Sequence, residues 1–268
     1  MPSGRFNLFY LLAIISASCP SCVYSESGSE SHGGIQWVLT AAEFDALCLQ
    51  AYKTASDFLE PALSDRTWSA LPGQTDAGDL PAAIILDVDE TLVSNAAFQA
   101  SYEHPFTNSK LDDWNDAGVA KAIPGAVAFT KLARESGVEL FFVTNRPCEK
   151  KPGIDNPCPQ QDVTVRDLNE AGIVADAEHV MMANERREWD REKVVRRNLI
   201  AQSHRVIMLI GDDLSDFIAC TRSSPRAPCT DRATIESRDD MTYEHQHYWG
   251  AGWFILPNPM HGSWTTVK

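Results

Sequence analysis

The sequence predicts an α/β protein built on a doubly wound parallel sheet. Strand and helix signals alternate along the chain from residue 82 onward, which is typical of parallel sheets with helical crossovers. The first predicted strand, 82–86, is a continuous apolar run, as strands buried on both faces are. Polar clusters follow several predicted strands, at the edge where such sheets bind ligands. A content of 44% hydrophobic and 22% charged residues excludes a disordered or collagen-like chain.

The elements follow in chain order. Thr40 and Glu43 have the spacing of a capping box, so we predict a helix that begins there and runs to about Leu63. A linker rich in Gly, Asp and Pro follows. The remaining predicted strands are 138–143, 179–182, 206–210 and 253–256, and the remaining predicted helices are 124–136, 162–171 and 190–202. The stretch 94–122 is too long for a simple crossover and predicts a small helical cap beside the site.

The N-terminus has the features of an export signal. Arg5 is its one charge before Glu26, and residues 6–15 are apolar except for Asn7. Two cuts are open: lipoprotein processing at Cys19, which would anchor the protein in a membrane, or ordinary cleavage after residue 25. Either predicts an exported protein, periplasmic, anchored to the outer membrane or secreted. We therefore divide the chain into a signal peptide, a flexible tether, an N-terminal helix with its linker, and a core, at 1–25, 26–36, 37–81 and 82–268.

The charge of the chain limits its partners. The sequence has 23 Lys and Arg against 37 Asp and Glu, a formal net charge of −14. This argues against binding of nucleic-acid polymers, which requires a basic surface. It does not argue against a small phosphorylated substrate, because a metal or a local cation cluster can reverse the field in one cleft.

Four of the seven cysteines form two closely spaced pairs. Cys148 and Cys158 are ten residues apart, and Cys220 and Cys229 are nine apart, so in an oxidising compartment each pair can close a small loop. Zinc is the alternative, but no CxxC or His-rich spacing supports it. Cys48 lies on an apolar helix face and is predicted to be a buried thiol.

Polar motifs follow four of the predicted elements. Two carboxylates two residues apart, where a chain leaves a strand, can converge on one reacting centre. Asp213 is predicted to be a solvated acid, and Arg196 and Arg197 a solvated helix face. The motifs are Asp87-Val88-Asp89-Glu90-Thr91, Thr144-Asn145-Arg146, Lys193, and 211–217 with Asp212 and Asp216.

These motifs together resemble the haloacid dehalogenase superfamily of phosphatases with an aspartate nucleophile. Within it the chain is most similar to the class C acid phosphatases, bacterial outer-membrane lipoproteins with 5′-nucleotidase activity. The likeness runs from about residue 37 to residue 264. It is carried by 84–91 with Asn95 and Phe98, by 123–127, by 206–217, and by 256–260 followed by Gly262 and Trp264.

The resemblance implies a role for each motif residue. Asp87 would be the nucleophile that forms an aspartyl-phosphate, and Asp89 the general acid–base. Thr144, Asn145 and Lys193 would hold the phosphoryl oxygens. Mg²⁺ would be bound by Asp87, the backbone carbonyl of Asp89 and Asp212, with Asp216 close by. The expected activity is Mg²⁺-dependent hydrolysis of phosphomonoesters, including nucleoside 5′-monophosphates. A phosphotransferase and a non-enzymatic surface lipoprotein are the alternatives.

Substrate recognition is expected from the cap. In the resembled class, aromatic residues grip a nucleobase, which would make Phe98, Tyr102 and Trp114 substrate contacts, with Tyr243 or Tyr248 beside them. Phe98 stands where the class has Tyr. The alternative for Trp114 is a structural plug between cap and core. Arg146 is expected either to bind substrate or to pair with a carboxylate such as Asp155.

Overall fold

The computed structural model describes residues 30–101 and 107–267. The signal peptide with Cys19, and Tyr102, lie outside the described residues. The helices are α1 Glu30–Thr40, α2 Ala42–Ser64, α3 Ala96–Ser101, α4 Asn108–Asp116, α5 Ala126–Glu135, α6 Pro159–Glu170, α7 Val194–Ile200 and α8 Ile235–Glu244. The strands are β1 Ala82–Leu86, β2 Val93–Ser94, β3 Lys121–Ala122, β4 Glu139–Pro147, β5 Val180–Ala183, β6 Arg205–Gly211 and β7 Trp253–Ile255.

The main sheet has five parallel strands in the order β5-β4-β1-β6-β7, which confirms the predicted fold class. β1 lies at the centre, and Leu86 at its end is in register with Phe142 of β4 and Ile210 of β6. The order in which strands are added reverses at β1: the chain continues to β4 and β5 on one side and then crosses to β6 and β7 on the other. Ligands in doubly wound sheets bind at such a switch point, beyond the carboxyl ends of the strands.

Both faces of the sheet are covered, as its apolar strands require. Alternate residues of β1 enter different cores: Ile84 and Leu86 pack on the side of α2 and α5, and Ala83 and Ile85 on the side of α7. The side chains of these four residues are almost fully buried. The central strand is therefore fixed from both sides, which holds the loop that follows it in a defined position.

The cap insert leaves and re-enters the core through a two-stranded antiparallel ribbon. Val93 of β2 pairs with Ala122 of β3, and Ser94 pairs with Lys121. Between them lie α3 and α4, which confirms the helical content predicted for 94–122. The Thr107 hydroxyl accepts the Lys110 N–H and caps α4, and α4 packs against α6 of the core.

Three local predictions at helix starts were wrong. Thr40 ends α1 instead of opening the next helix, and its hydroxyl donates to the carbonyl of Gln36. The predicted tether 26–36 is helical from Glu30 onward, and Gly34 lets this helix approach Pro259, where a Cβ would lie 2.3 Å from the carbonyl oxygen. The helix predicted over 190–202 begins at Val194, because tertiary hydrogen bonds hold Asp190 and Glu192 outside it.

The predicted cysteine pairs are confirmed. Cys148 is bonded to Cys158, and Cys220 to Cys229. Cys48 is fully buried, and burial raises the pKa of its thiol to about 12, so it is an inert core residue as predicted. Among the described residues, no helix has the length and apolar character that crossing a bilayer requires.

Candidate active site

The loop after β1 places Asp87 and Asp89 at the carboxyl edge of the sheet. The Asp87 N–H donates to Ile210 O at 2.9 Å, so this residue still pairs with β6 when the chain leaves the strand. A tight turn follows, in which the N–H groups of Leu92 and Val93 both donate to Val88 O. Glu90 has a φ of 59°, a left-handed conformation that costs about 1–2 kcal/mol for a non-glycine residue. The buried contacts of the loop maintain this strain at the site.

Glu90 is nearly fully buried and holds two neighbouring segments. Its Oε1 accepts the Asn95 N–H at 2.7 Å, and its Oε2 lies 3.2 Å from His261 Nε2. Burial lowers the pKa of His261, but Glu90 outweighs burial and raises it. This ion pair fixes the C-terminal segment against the catalytic loop.

Lys193 bridges two carboxylates at the centre of the site. Its ammonium contacts Asp87 Oδ1 and lies 2.6 Å from Asp216 Oδ1, with 3% of its side chain exposed. Burial lowers the pKa of Lys193, but the charges of Asp216 and Asp87 outweigh burial and raise it. The residue is therefore a fixed cation directly beside Asp87.

Asp216 is fully engaged by protein donors. Its Oδ2 accepts the N–H groups of Asp212 and Asp213, at 3.1 and 3.0 Å, while Oδ1 pairs with Lys193. These bonds hold the loop that carries Asp212. Asp216 thus acts first as a positioning residue for that carboxylate.

Asp87, Asp212 and Asp216 form a cluster of carboxylates whose oxygens lie within 4.8 Å of one another. Asp212 Oδ2 accepts the Asn258 amide at 2.7 Å, and the Thr91 hydroxyl lies 3.1 Å from Asp87 and 3.2 Å from Asp212. One hydroxyl has one proton for two carboxylates, and one ammonium pairs with two of the three acids. This all-oxygen set lacks positive charge, which fits a hard divalent cation. The Asp89 side chain is outside the cluster, so its expected ligand atom remains the backbone carbonyl.

The close packing of Asp87, Asp212 and Asp216 should lower the stability of the metal-free protein once these acids are ionised. Burial raises the pKa of Asp87 to about 7, with Asp216 and Asp89 adding to the effect and Lys193 opposing it. A carboxyl group whose pKa is raised by folding does not destabilise the protein at a pH below its unfolded pKa, which is near 4. It lowers the free energy of unfolding by its full amount at a pH above its folded pKa. Thermal midpoints in chelator should therefore fall for the wild type relative to Asp87→Asn as pH rises from about 4 to about 7. Parallel curves for the two proteins would contradict this account.

Asp89 is oriented by Arg146 and Asn95. Arg146 donates to Asp89 Oδ1 from Nη2 at 2.9 Å and from Nε at 3.1 Å, and the Asn95 amide donates to the same oxygen at 2.7 Å. Burial raises the pKa of Asp89, but Arg146 outweighs burial and lowers it. Arg146 also pairs with Asp167 at 2.9 Å. The carboxylate partners of Arg146 are thus Asp89 and Asp167, and the suggested pairing with Asp155 was wrong.

The second motif residues lie beside Asp89. The Thr144 hydroxyl is fully buried and accepts the Arg146 N–H at 3.0 Å. Asn145 lines the cleft, and its Oδ1 accepts from Arg196 at 2.9 Å, which leaves its amide N–H₂ as the donor available to a ligand. The placement of Asn145 therefore suits the predicted role in holding phosphoryl oxygens.

The prediction of a solvated helix face was wrong, as was that of a solvated Asp213. Arg196 is fully buried and donates to the carbonyls of Thr144 and Met181, and Arg197 donates to the carbonyl of Asp216. Both arginines thus satisfy backbone carbonyl oxygens in and beside the strands that carry the site. Asp213 accepts the N–H groups of Ser215 and Ser263, so it joins two loops from a buried position.

An open cleft of about 570 Å³ lies over these residues. Of the described residues that line it, only His261 carries an aromatic ring. Phe98 is buried and Trp114 half-buried, their ring centroids are 5.9 Å apart, and neither lines the cleft. Tyr243 and Tyr248 do not line it either. The lining includes Asp87, Asp89, Asn145, Arg146, Lys193, Asp212 and Asp216 from the predicted site, and Glu90, Asn95, Arg191, Arg222 and His261 beyond it.

Residues 33–264 match the model of a known family, described as HAD superfamily, subfamily IIIB (acid phosphatase). The chain belongs to this family. Two crystal structures of the class C acid phosphatase from Bacillus anthracis, one with tungstate bound, are similar to it. Each is 28% identical, with a TM-score of 0.69 over 88% of this chain and 86% of that protein.

Two soybean proteins, each named Stem 31 kDa glycoprotein [Glycine max], are also similar. They are 23% identical over 151 residues and 24% identical over 161 residues. The matches cover 54% and 51% of those proteins, so the chain spans about half the length of the curated relatives it matches.

The site of this acid phosphatase family member also includes residues to which the sequence motifs gave no role. Thr91 and Asn258 hold Asp212, and Asn95 holds Asp89. Asn95 and Asn258 lie inside the segments that carry the family resemblance, and this was the one indication in the sequence that they belong to the site. The bond from Asn258 joins it to a residue 46 positions away, which the local sequence does not indicate, whereas Asn95 lies only six residues from Asp89.

Trp114 contacts Asn95 and not the cleft, so we expect it to act through Asp89. Its indole N–H donates to Asn95 Oδ1 at 3.0 Å, and Asn95 in turn donates to Asp89. Trp114→Phe keeps the ring contact with Phe98 but removes a hydrogen bond worth about 1 kcal/mol. We expect kcat/KM to fall about fivefold, equally for a nucleoside monophosphate and for a small ester without a flat ring.

The matched control is Trp249→Phe, which removes an indole hydrogen bond to Thr242 O from a ring that does not line the cleft. It should leave kcat/KM unchanged. A selective loss on the nucleotide in Trp114→Phe would restore the base-stacking interpretation.

Proposed function

We propose that the protein is an exported phosphatase that hydrolyses phosphomonoesters through an aspartyl-phosphate on Asp87. One observation carries the proposal: Asp87 stands at the carboxyl end of the central strand, salt-bridged to a buried Lys193, with Asp89 two residues further along. A nucleophile, a fixed cation and an acid–base group thus share one cleft. Membership of the acid phosphatase family supports the same reaction.

The chemistry can be followed through the side chains. An Asp87 carboxylate oxygen attacks phosphorus, and the bond from phosphorus to the ester oxygen breaks as Asp89 gives that oxygen a proton. Asp89 then takes a proton from water, which attacks phosphorus, breaks the acyl-phosphate bond and releases inorganic phosphate. At the end Asp87 is again a carboxylate and Asp89 is again protonated, as at the start of the cycle. Lys193 and the Asn145 amide are placed to balance the charge of the phosphoryl oxygens.

Asp89 must move its proton along a fixed direction. Arg146 and Asn95 hold its Oδ1 with three short contacts, which leaves Oδ2, 3.1 Å from Arg146 Nε, as the less engaged oxygen. We assign Oδ2 as the atom that exchanges the proton. Arg146 is itself anchored by Asp167, so the assembly is rigid before substrate arrives.

Mg²⁺ is the proposed cofactor. Asp87, Asp212 and the Asp89 carbonyl would hold it, with Asp216 supporting Asp212. When bound, it would screen the anionic nucleophile from the anionic phosphate. Nucleoside 5′-monophosphates are proposed as one substrate class, since the cleft volume falls in the range of roughly 300–1,000 Å³ that small-molecule sites occupy.

Release of inorganic phosphate tests the proposal. A panel of alkyl, aryl and nucleoside phosphomonoesters should be assayed with Mg²⁺, with the matching phosphodiesters as controls. We expect turnover of monoesters only, because a diester has one fewer free phosphoryl oxygen and one fewer negative charge for Lys193 and Asn145 to hold. Absence of phosphate release from every monoester would overturn the proposed function.

A further inference from the structure

One wall of the cleft is a loop closed by the Cys220–Cys229 disulfide. Two bonds tie this loop to the segment before α7. Arg226 Nη1 lies 3.2 Å from Asp190 Oδ2, and the Cys220 N–H donates to Glu192 Oε2 at 3.1 Å. The residue between those two acids is Arg191. The disulfide-closed loop and Arg191 are therefore held side by side, and both Arg191 and Arg222 of the loop line the cleft.

The two arginines differ from the other cations of the cleft in their partners. Lys193 and Arg146 each face two carboxylates and are neutralised by them. In the part of the chain that the structure describes, the exposed guanidinium of Arg191 has neither a hydrogen bond nor an ion pair. The protein as a whole is acidic, with a formal net charge of −14, so the unpaired cation of Arg191 at the cleft contrasts with the charge of the rest of the chain.

Arg222 is also under-compensated. Its Nη2 donates to Ser215 Oγ at 3.0 Å, but its Nε is buried without a partner among the described residues. The nearest carboxylate is Asp213 at 4.0 Å, whose oxygens already accept from Ser215 and Ser263. Among the described residues, Arg191 and Arg222 thus carry charge on this side of the cleft that no ion pair shorter than 4.0 Å neutralises.

We propose that Arg191 and Arg222 form a second anion site, which selects phosphomonoesters that carry another anionic group, either a second phosphate or a carboxylate. The inference rests on the proposed function, because the transferred phosphoryl group is taken to bind at Asp87. Guanidinium groups bind phosphate and carboxylate through paired N–H donors, which suits both anions. The hydroxyls of Thr265 and Thr266, on residues that line the same cleft, can supply further donors.

Matched substrate pairs test the proposal with the full, disulfide-bonded chain. 2-Phosphoglycerate and glycerol 2-phosphate differ only in a carboxylate against a hydroxymethyl group. Adenosine 3′,5′-bisphosphate and adenosine 5′-monophosphate provide a longer separation between the two anions. We expect at least one of the two compounds with the additional anionic group, 2-phosphoglycerate or adenosine 3′,5′-bisphosphate, to have a higher kcat/KM than its partner. Arg191→Gln should reduce that preference by about tenfold, the expected size of one charge-assisted hydrogen bond.

The controls separate charge from structure. Arg187→Gln removes an exposed arginine that does not line the cleft and should leave the preference intact. Arg191→Lys keeps the charge and should keep part of the preference. Arg222→Gln should reduce the preference as Arg191→Gln does. A wild-type protein without preference in both pairs, or equal losses on both members of a pair in Arg191→Gln, would overturn the second anion site.

The second anion site can be tested even if the proposed phosphatase activity is absent. If no monoester is turned over, calorimetric titration of 2-phosphoglycerate and glycerol 2-phosphate into the wild type and Arg191→Gln still tests the site. Tighter binding of 2-phosphoglycerate that is lost in the variant would support it, and equal affinities would overturn it.

Discussion

Replacing Asp87 by Asn should reduce kcat to less than about a hundredth of the wild-type value, because loss of a covalent nucleophile exceeds the effect of losing acid–base catalysis. An amide cannot attack phosphorus, yet it has nearly the volume of the carboxylate. Lys193 keeps its contact with Asp216, so the ammonium is not left buried without a partner. The fold should therefore survive the change, and steady-state kinetics with a simple phosphomonoester measures the effect.

The control is Asp240→Asn, an exposed residue of α8 that does not line the cleft. It removes the same charge and should retain full activity. The thermal midpoint of Asp87→Asn should equal or exceed that of the wild type at pH 7 in chelator, since a carboxylate is removed from an acid cluster. A folded Asp87→Asn variant with more than about a hundredth of wild-type kcat would show that Asp87 is not the nucleophile.

Removal of divalent metal should abolish turnover, and Mg²⁺ should restore it. The one ammonium of the cluster pairs with only two of its three carboxylates, so without a metal cation the nucleophile and the phosphate ester repel each other. Asp212→Asn should raise the Mg²⁺ concentration needed for half-maximal activity at least tenfold, since one of few protein ligands loses its charge. The Asn side chain keeps the shape of the site. Activity is measured across a Mg²⁺ titration after exhaustive chelation.

Asp240→Asn again provides the control, and its Mg²⁺ dependence should match that of the wild type. Full activity of the chelated wild type would refute the metal assignment. A Mg²⁺ titration of Asp212→Asn that overlays the wild-type curve would refute the role of Asp212 specifically.

The chain order of strands and helices, and the residues at the strand ends, were predictable because they depend on local patterns. A buried strand such as 82–86 is a continuous apolar run, and its end marks the position of Asp87 and Asp89 whatever surrounds it. Cysteine spacing likewise predicted both disulfides, since each closes a loop of about ten residues.

The errors concern side chains whose partners come from other segments. Arginine is usually exposed, so the sequence suggests that Arg196 and Arg197 face solvent. Nothing in the neighbouring sequence indicates the distant backbone carbonyls to which they donate. Helix α1 packs against α3 and approaches Pro259, more than 200 residues away, and its own sequence, with two adjacent glycines, does not predict a helix. Trp114 was assigned to a nucleobase from the family resemblance, but its place behind Asn95 depends on how the cap packs.

Chemical trapping of the covalent intermediate tests the central claim most directly. The protein is mixed with a phosphomonoester and Mg²⁺, quenched in acid during turnover, and treated with borohydride, which reduces an aspartyl-phosphate to homoserine. Peptide mass spectrometry then locates the modified residue. We predict homoserine at position 87 only when substrate is present, and none in Asp87→Asn. Phosphate release without homoserine at position 87, or with homoserine at another aspartate, would contradict the account.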